Sequence, residues 1–263
     1  MEFPKDFLWG ASTSAYQIEG NNKNSDWWEW EMLGKIKYAS ASACGSYELF
    51  TEDFDIAKSL SHNAHRLSVE WGRIEPEEGK FSKEEIGHYR KVILALRERG
   101  LEPIVTLHHF TSPIWFTRNY GWSNASCRKY FLRYCAKIVS ALAEDVHFWI
   151  TINEPTIYAY YSYIFGYWPP QEKSVLKAIS VINNFAQVHI NAYSLIHSIY
   201  QEKNLTPPEI SIAHHLQAFV PCNLNFRNRL AYYLRNKLHN LYFIERLARK
   251  HALDFIGITA GTL

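Results

Sequence analysis

Glu154 is the residue best placed for chemistry in this chain of 263 residues, in the run Trp149-Ile150-Thr151-Ile152-Asn153-Glu154-Pro155. The β-branched and aromatic residues before it read as a strand. The glutamate closes that strand between an amide and a proline, which restricts the backbone of the residue before it. A carboxyl held in this way can act as a general acid. For a lone glutamate, a rim or helix-capping role is the commoner one, so its surroundings decide. Alternation along an earlier strand puts Arg66, Ser68 and Glu70 on one face. Glu70 is therefore the nearest second carboxylate, although an ion pair with Arg66 is its more ordinary role. Cys44, Cys127, Cys135 and Cys222 lack Cys-x-x-Cys spacing and are expected as reduced thiols, with no metal and no cofactor implied.

Short β-branched or aromatic runs alternate with amphipathic stretches, and these elements must position the residues above. Strands are expected at 7–13, 64–71, 103–108, 148–153, 209–213 and 254–259. Helices are expected at 47–60, with Phe50, Phe54, Ala57 and Leu60 at helical spacing, and at 83–99, stopped by Gly100. Three more are expected at 125–143, at 174–203, closed by Pro207-Pro208, and at 227–250. Strict βα alternation implies a parallel sheet with right-handed crossovers, either open or closed into a barrel. No glycine-rich phosphate loop follows any strand, which disfavours a dinucleotide-binding sheet. Polar and aromatic residues gather after strands 1, 3 and 4, whose carboxyl ends share one rim where active sites are built.

The composition, 47% hydrophobic, 21% charged and 16% aromatic, suits one globular domain over 1–263 and excludes disorder and coiled coil. A net charge of +2, from 28 basic and 26 acidic residues spread along the chain, offers no stripe for nucleic acid. No apolar run approaches the roughly 18 residues of a membrane span. Met1 is followed by Glu2, Phe3, Pro4, Lys5 and Asp6 with no leader pattern, so a cytoplasmic location is expected.

Longer strings carry a resemblance: Phe3 to Gly20 (FPKDFLWGASTSAYQIEG), Asn24 to Trp28 (NSDWW), Arg66 to Pro76 (RLSVEWGRIEP), Thr106 to Phe110 (TLHHF) and Thr151 to Pro155 (TINEP). In that order, from residue 3 to about 258, the chain resembles family 1 glycoside hydrolases of the β-glucosidase type. The resemblance implies a (β/α)8 barrel and a small-molecule glycoside as substrate, with Glu154 as catalytic acid/base. It also implies that Gln17, His109 and Asn153 hydrogen-bond the hydroxyls of the sugar being cleaved. Phe110 stands where the family commonly has Trp, which keeps an apolar wall and loses an indole donor. Trp9, Trp27, Trp28, Trp115, Trp122, Trp149 and Trp168 fall near strand ends or inserted loops, where those on the rim would stack on pyranose rings.

Family 1 enzymes retain anomeric configuration through a second glutamate, in an Ile/Val-Thr-Glu-Asn-Gly motif, with the two carboxyl groups about 5–5.5 Å apart. This sequence contains no such motif, and its sixth strand reads Ile256-Gly257-Ile258-Thr259-Ala260-Gly261-Thr262 where the family usually has Asn-Tyr-Tyr-Thr. The expected fold is thus α/β, an incomplete (β/α)8 TIM-type barrel of about six βα strands with long loops after strands 1 and 4. Strands 1 and 6 would face a gap, so a homo-oligomer formed through open barrel edges, or a wide wet cavity, is expected. Arg66, which in the family pairs with the nucleophile, is expected to approach Glu154. The expected activity is slow hydrolysis of small or aryl glycosides with relaxed preference between α and β anomers. The alternatives are a sugar-binding pseudoenzyme and a fragment completed by a partner chain.

Overall fold

Gly10 opens the first strand because nothing larger fits: a Cβ there would lie 2.2 Å from the Ala64 carbonyl oxygen. Gly257 does the same at the other end, where a Cβ would lie 2.8 Å from the Ile212 carbonyl oxygen. Between these two close approaches runs a single sheet. The computed structural model describes residues 3–260, and within them six parallel strands pair in chain order from β1 to β6.

The elements follow in sequence. β1 (Gly10–Ser12) leads into two short rim helices, α1 (Ala15–Ile18) and α2 (Asp26–Met32), and then α3 (Ser46–Ser59). β2 (Ala64–Ser68), α4 (Trp71–Ile74), α5 (Lys83–Glu98) and β3 (Glu102–His108) come next, then α6 (Ile114–Asn119) and α7 (Cys127–Leu142). β4 (Phe148–Asn153) is followed by α8 (Pro155–Ala159), a π-helical turn at Tyr160–Ile164 and the long α9 (Val175–Glu202). β5 (Glu209–His215), α10 (Phe226–Asn236), a second π-helical turn at Lys237–Leu241, α11 (Tyr242–Ala248) and β6 (Gly257–Thr259) complete the chain.

The core lies between the sheet and the helices outside it. α7 turns Phe131, Tyr134, Cys135, Ile138, Val139 and Leu142 inward at the three- and four-residue spacing of one helical face. α9 meets it with Ala178, Val181, Phe185, Val188 and Ile196, and the sheet adds Val105, Leu107, Trp149 and Ile212. Two buried polar side chains in this layer find partners within it. The Trp149 indole donates to the Tyr200 hydroxyl at 2.8 Å. His189 bridges Thr151 on β4 (2.6 Å) and the Ala252 carbonyl (2.5 Å). A carbonyl only accepts, so Nε2 carries the proton and Nδ1 accepts from Thr151.

Six strands and the helices between them match the sequence expectation, and the ends differ. Strand 1 is confined to Gly10–Ser12, strand 2 stops at Ser68 and strand 6 begins only at Gly257. Of the residues at helical spacing in α3, Phe54 and Ala57 are buried, whereas Leu60, the C-cap, is 65% exposed. The expected helix at 227–250 is interrupted by the π-helical turn. The long insertions after strands 1 and 4 are not plain loops, since they fold into α1, α2, α8 and the first π-helical turn. Gly261 and Thr262, quoted above, lie outside the described residues. No helix among the described residues is long and apolar enough to cross a membrane.

Candidate active site

The β4–β5 ladder slips register between Ile150 and Asn153, and a bulge of this kind re-aims the residues that follow it. Glu154 comes next, at φ 46° and ψ 58°, the left-handed region that a side-chain-bearing residue occupies at a cost. Its N–H donates to the Ala213 carbonyl at 2.7 Å and its own carbonyl accepts from the Tyr158 N–H at 3.0 Å. Pro155 then starts α8, where its missing N–H leaves nothing unsatisfied. The backbone is pinned between β5 and α8, while the half-buried carboxyl is left out of helix capping.

Arg66, on β2, joins the neighbouring groups. Its Nη2 donates to Asn153 Oδ1 at 2.6 Å and its Nε to Thr106 Oγ1 at 2.9 Å. A guanidinium only donates, so it must face the amide oxygen of Asn153, and the amide nitrogen remains free to donate elsewhere. Burial pulls the Arg66 guanidinium down to about 10, and the charge of Glu154 opposes that shift. Arg66 thus lies within electrostatic reach of Glu154, as the sequence suggested, yet its hydrogen bonds go to Asn153 and Thr106. His109, half-buried at the end of β3, is pushed down to about 3, first by burial and then by the Arg66 cation. At neutral pH its imidazole is uncharged, with one donor and one acceptor.

Phe110 is also left-handed, at φ 72°. Its ring lies 4.9 Å from those of His109 and Trp168, and Trp168 lies 5.5 Å from Trp27. Trp27 in turn lies 5.9 Å from Tyr16 on α1, beside Gln17. An aromatic wall therefore crosses the rim from strand 3 to strand 1. Gln17 stands exposed at its far end and is not hydrogen-bonded to the other candidates. Of the remaining tryptophans, Trp122 and Trp149 are core residues at 0% exposure, and Trp9 lies at the amino end of β1, away from the rim.

Glu70 does not do what strand alternation suggested. Because β2 ends at Ser68, Glu70 caps α4, accepting from the Gly72 N–H at 3.3 Å and the Thr111 hydroxyl at 2.8 Å. It makes no ion pair with Arg66; the latter's bonds lie elsewhere. Burial raises its pKa, against the hydroxyl and amide donors that lower it. Asp26 and Glu19 are likewise raised by burial, Glu19 to about 7 even beside Arg73 and Tyr89. Sequence reasoning missed Thr106 as the second anchor of Arg66. The only signal was strand register, which sets Arg66 beside Ile104 and brings Thr106 within reach.

Comparison with known proteins shows the family and the fold. The family model described as Glycosyl hydrolase family 1 matches residues 1–251. Beta-glucosidase A of Thermotoga maritima is 30% identical over 200 residues, covering 73% of this chain and 45% of its own length. Beta-glucosidase A of Acetivibrio thermocellus is 31% identical over 230 residues, covering 84% and 50%. The solved beta-glycosidase from Pyrococcus horikoshii superposes with a TM-score of 0.90 at 35% identity, covering 98% of this chain and 62% of the other. The chain spans about half the length of the curated relatives it matches.

Proposed function

The chain belongs to glycosyl hydrolase family 1, and on that premise we propose that it hydrolyses the O-glycosidic bonds of small or aryl glycosides, with Glu154 as general acid/base. One observation supports this reading: Glu154 is pinned by its backbone at the carboxyl end of β4, next to Asn153 and within electrostatic reach of Arg66, which bonds Asn153. The Glu154 carboxyl passes its proton to the leaving oxygen as the bond from that oxygen to the anomeric carbon breaks. Water then adds to the oxocarbenium-like carbon and returns a proton to the carboxylate. Gln17, His109 and Asn153 hold the sugar hydroxyls, and Phe110 supplies part of the wall.

No Ile/Val-Thr-Glu-Asn-Gly motif occurs in this sequence, and both oxygens of Glu70 are engaged in a site 2% exposed. For residues 1–263 assayed by themselves we therefore propose direct attack by water, with a low rate and little preference between α and β anomers. Purified protein assayed on nitrophenyl α- and β-glycosides tests this. Glu154→Gln should lower turnover by roughly 100- to 10,000-fold. Equal rates in wild type and variant would remove the hydrolytic role, whereas activity on β substrates alone would remove only the relaxed preference.

The outer edges of β1 and β6, which pair with no strand among the described residues, favour a second proposal: self-association, or completion by a partner polypeptide that adds strands. Sedimentation of the isolated chain at several concentrations decides between a monomer and an assembly. The four free cysteines, two of them buried, are the support for a reducing, cytoplasmic setting.

A further inference from the structure

One helical turn beyond Glu154 the structure opens a cavity of about 380 Å3. One wall is the face of α8 and its π-helical turn that carries Ile157, Tyr160, Tyr161 and Phe165. The opposite wall comes from α10 and the second π-helical turn, with Arg235 and His239. π-helical turns are rare and concentrate at functional sites; here two of them face each other.

The polar lining has a definite sign. Arg235 is exposed, takes part in no ion pair among the described residues, and rests its guanidinium 5.0 Å above the Phe219 ring. No carboxylate lines the cavity. His239 is directed toward His215, its Nε2 3.4 Å from His215 Nδ1, and burial and neighbouring positive groups hold its pKa at about 4, so it adds no charge at neutral pH. Gln217 also lines the space. Asn240 ties down its backbone by accepting from its N–H (3.0 Å) and donating to its carbonyl (2.8 Å), which leaves the Gln217 side-chain amide available.

The leaving group of a glycoside departs beside the acid that protonates it, and the cavity is lined from Ile157 onward, three residues beyond Glu154 on the helix that Glu154 precedes. We propose that it receives the leaving group of the substrate and selects an aromatic ring bearing a single carboxylate, stacked among Tyr160, Tyr161 and Phe165 and bound by Arg235. One cation matches one negative charge, and a guanidinium fork matches a planar carboxylate. The placement relative to the scissile bond rests on the hydrolytic function proposed above; the ligand class rests on the cavity itself.

The test uses matched probes that differ in charge. With 4-carboxyphenyl and 4-carbamoylphenyl β-glucosides, wild type should favour the acid in kcat/KM, and Arg235→Gln should lower that ratio about tenfold or more, the share of a charge-assisted hydrogen bond. Arg227→Gln, on the same helix but outside the cavity, should leave the ratio unchanged. Independently of turnover, free 4-hydroxybenzoate should quench the tryptophan fluorescence of wild type at lower concentration than 4-hydroxybenzamide, and Arg235→Gln should erase the difference. Hydrolysis without any preference for charge would overturn the cavity proposal and leave the hydrolytic function standing. Arg235-dependent binding of 4-hydroxybenzoate without turnover of any glycoside would overturn the hydrolytic function and the leaving-group placement together, sparing the ligand class.

Discussion

Arg66 is the side chain through which the rim residues act on one another. It fixes which way the Asn153 amide faces, lies within the field of Glu154 and adds its charge to the burial that chiefly holds the His109 imidazole uncharged. Arg66→Gln should therefore do two separable things. Hydrolysis should fall roughly 10- to 100-fold, the range expected for losing hydrogen bonds from a charged donor. The His109 imidazole should also take up its proton at higher pH than in wild type, because a neighbouring cation is gone; NMR titration of the ring reads this directly. An unchanged His109 titration would show that the two groups do not interact. Glu154 and Asn153 could be picked out from sequence because a motif and a strand end coincide there. Glu70 could not, since its role depended on where β2 stops: the strand ends at Ser68 and Glu70 caps the next helix instead.

Among the elements, α7 and α10 sit at opposite extremes. α7 buries eight of its residues, and α10 buries none, with Phe226, Tyr233 and Leu234 at 78%, 60% and 47% exposure. Helix stability comes mainly from packing an apolar face, so α10 should open locally at far lower cost than α7. Hydrogen exchange followed by mass spectrometry should show the amides of 226–236 exchanging well before those of 127–142, and equal protection would contradict this. The continuous helix expected at 227–250 failed for a related reason. Helical spacing reports a face, and it does not report that Asn240 turns its amide onto the Gln217 backbone inside a π-helical turn.

For the whole molecule, buried titratable groups set the response to acid. Seven histidines (His65, His88, His108, His109, His189, His214 and His239) have pKa values lowered from 6.5, chiefly by burial. As pH falls below 6.5 the unfolded chain binds protons that the folded chain refuses, down to about pH 3 to 4 for all of these but His214, so stability drops across that window. Glu19, Asp26 and Glu70 act in the opposite sense, because their raised values let the folded chain hold protons that the unfolded chain has released. Seven groups against three leave a net loss of stability in acid. The urea midpoint should be clearly lower at pH 5 than at pH 7.5, and an equal or higher midpoint at pH 5 would contradict this balance.

From sequence, the alternation of strands and helices, the count of six strands and the family could be read, because each is written in local periodicity or in contiguous motifs. Tertiary structure alone decided that Arg66 bonds Asn153 and Thr106, that Glu70 is sealed against Thr111, and that Gln17 stands exposed at the end of an aromatic wall. It alone also set two π-helical turns across one cavity beside a lone Arg235. These contacts join residues from 40 to 87 positions apart or depend on strand register and helix ends, and a one-dimensional pattern holds no record of which distant side chains the closing sheet brings face to face.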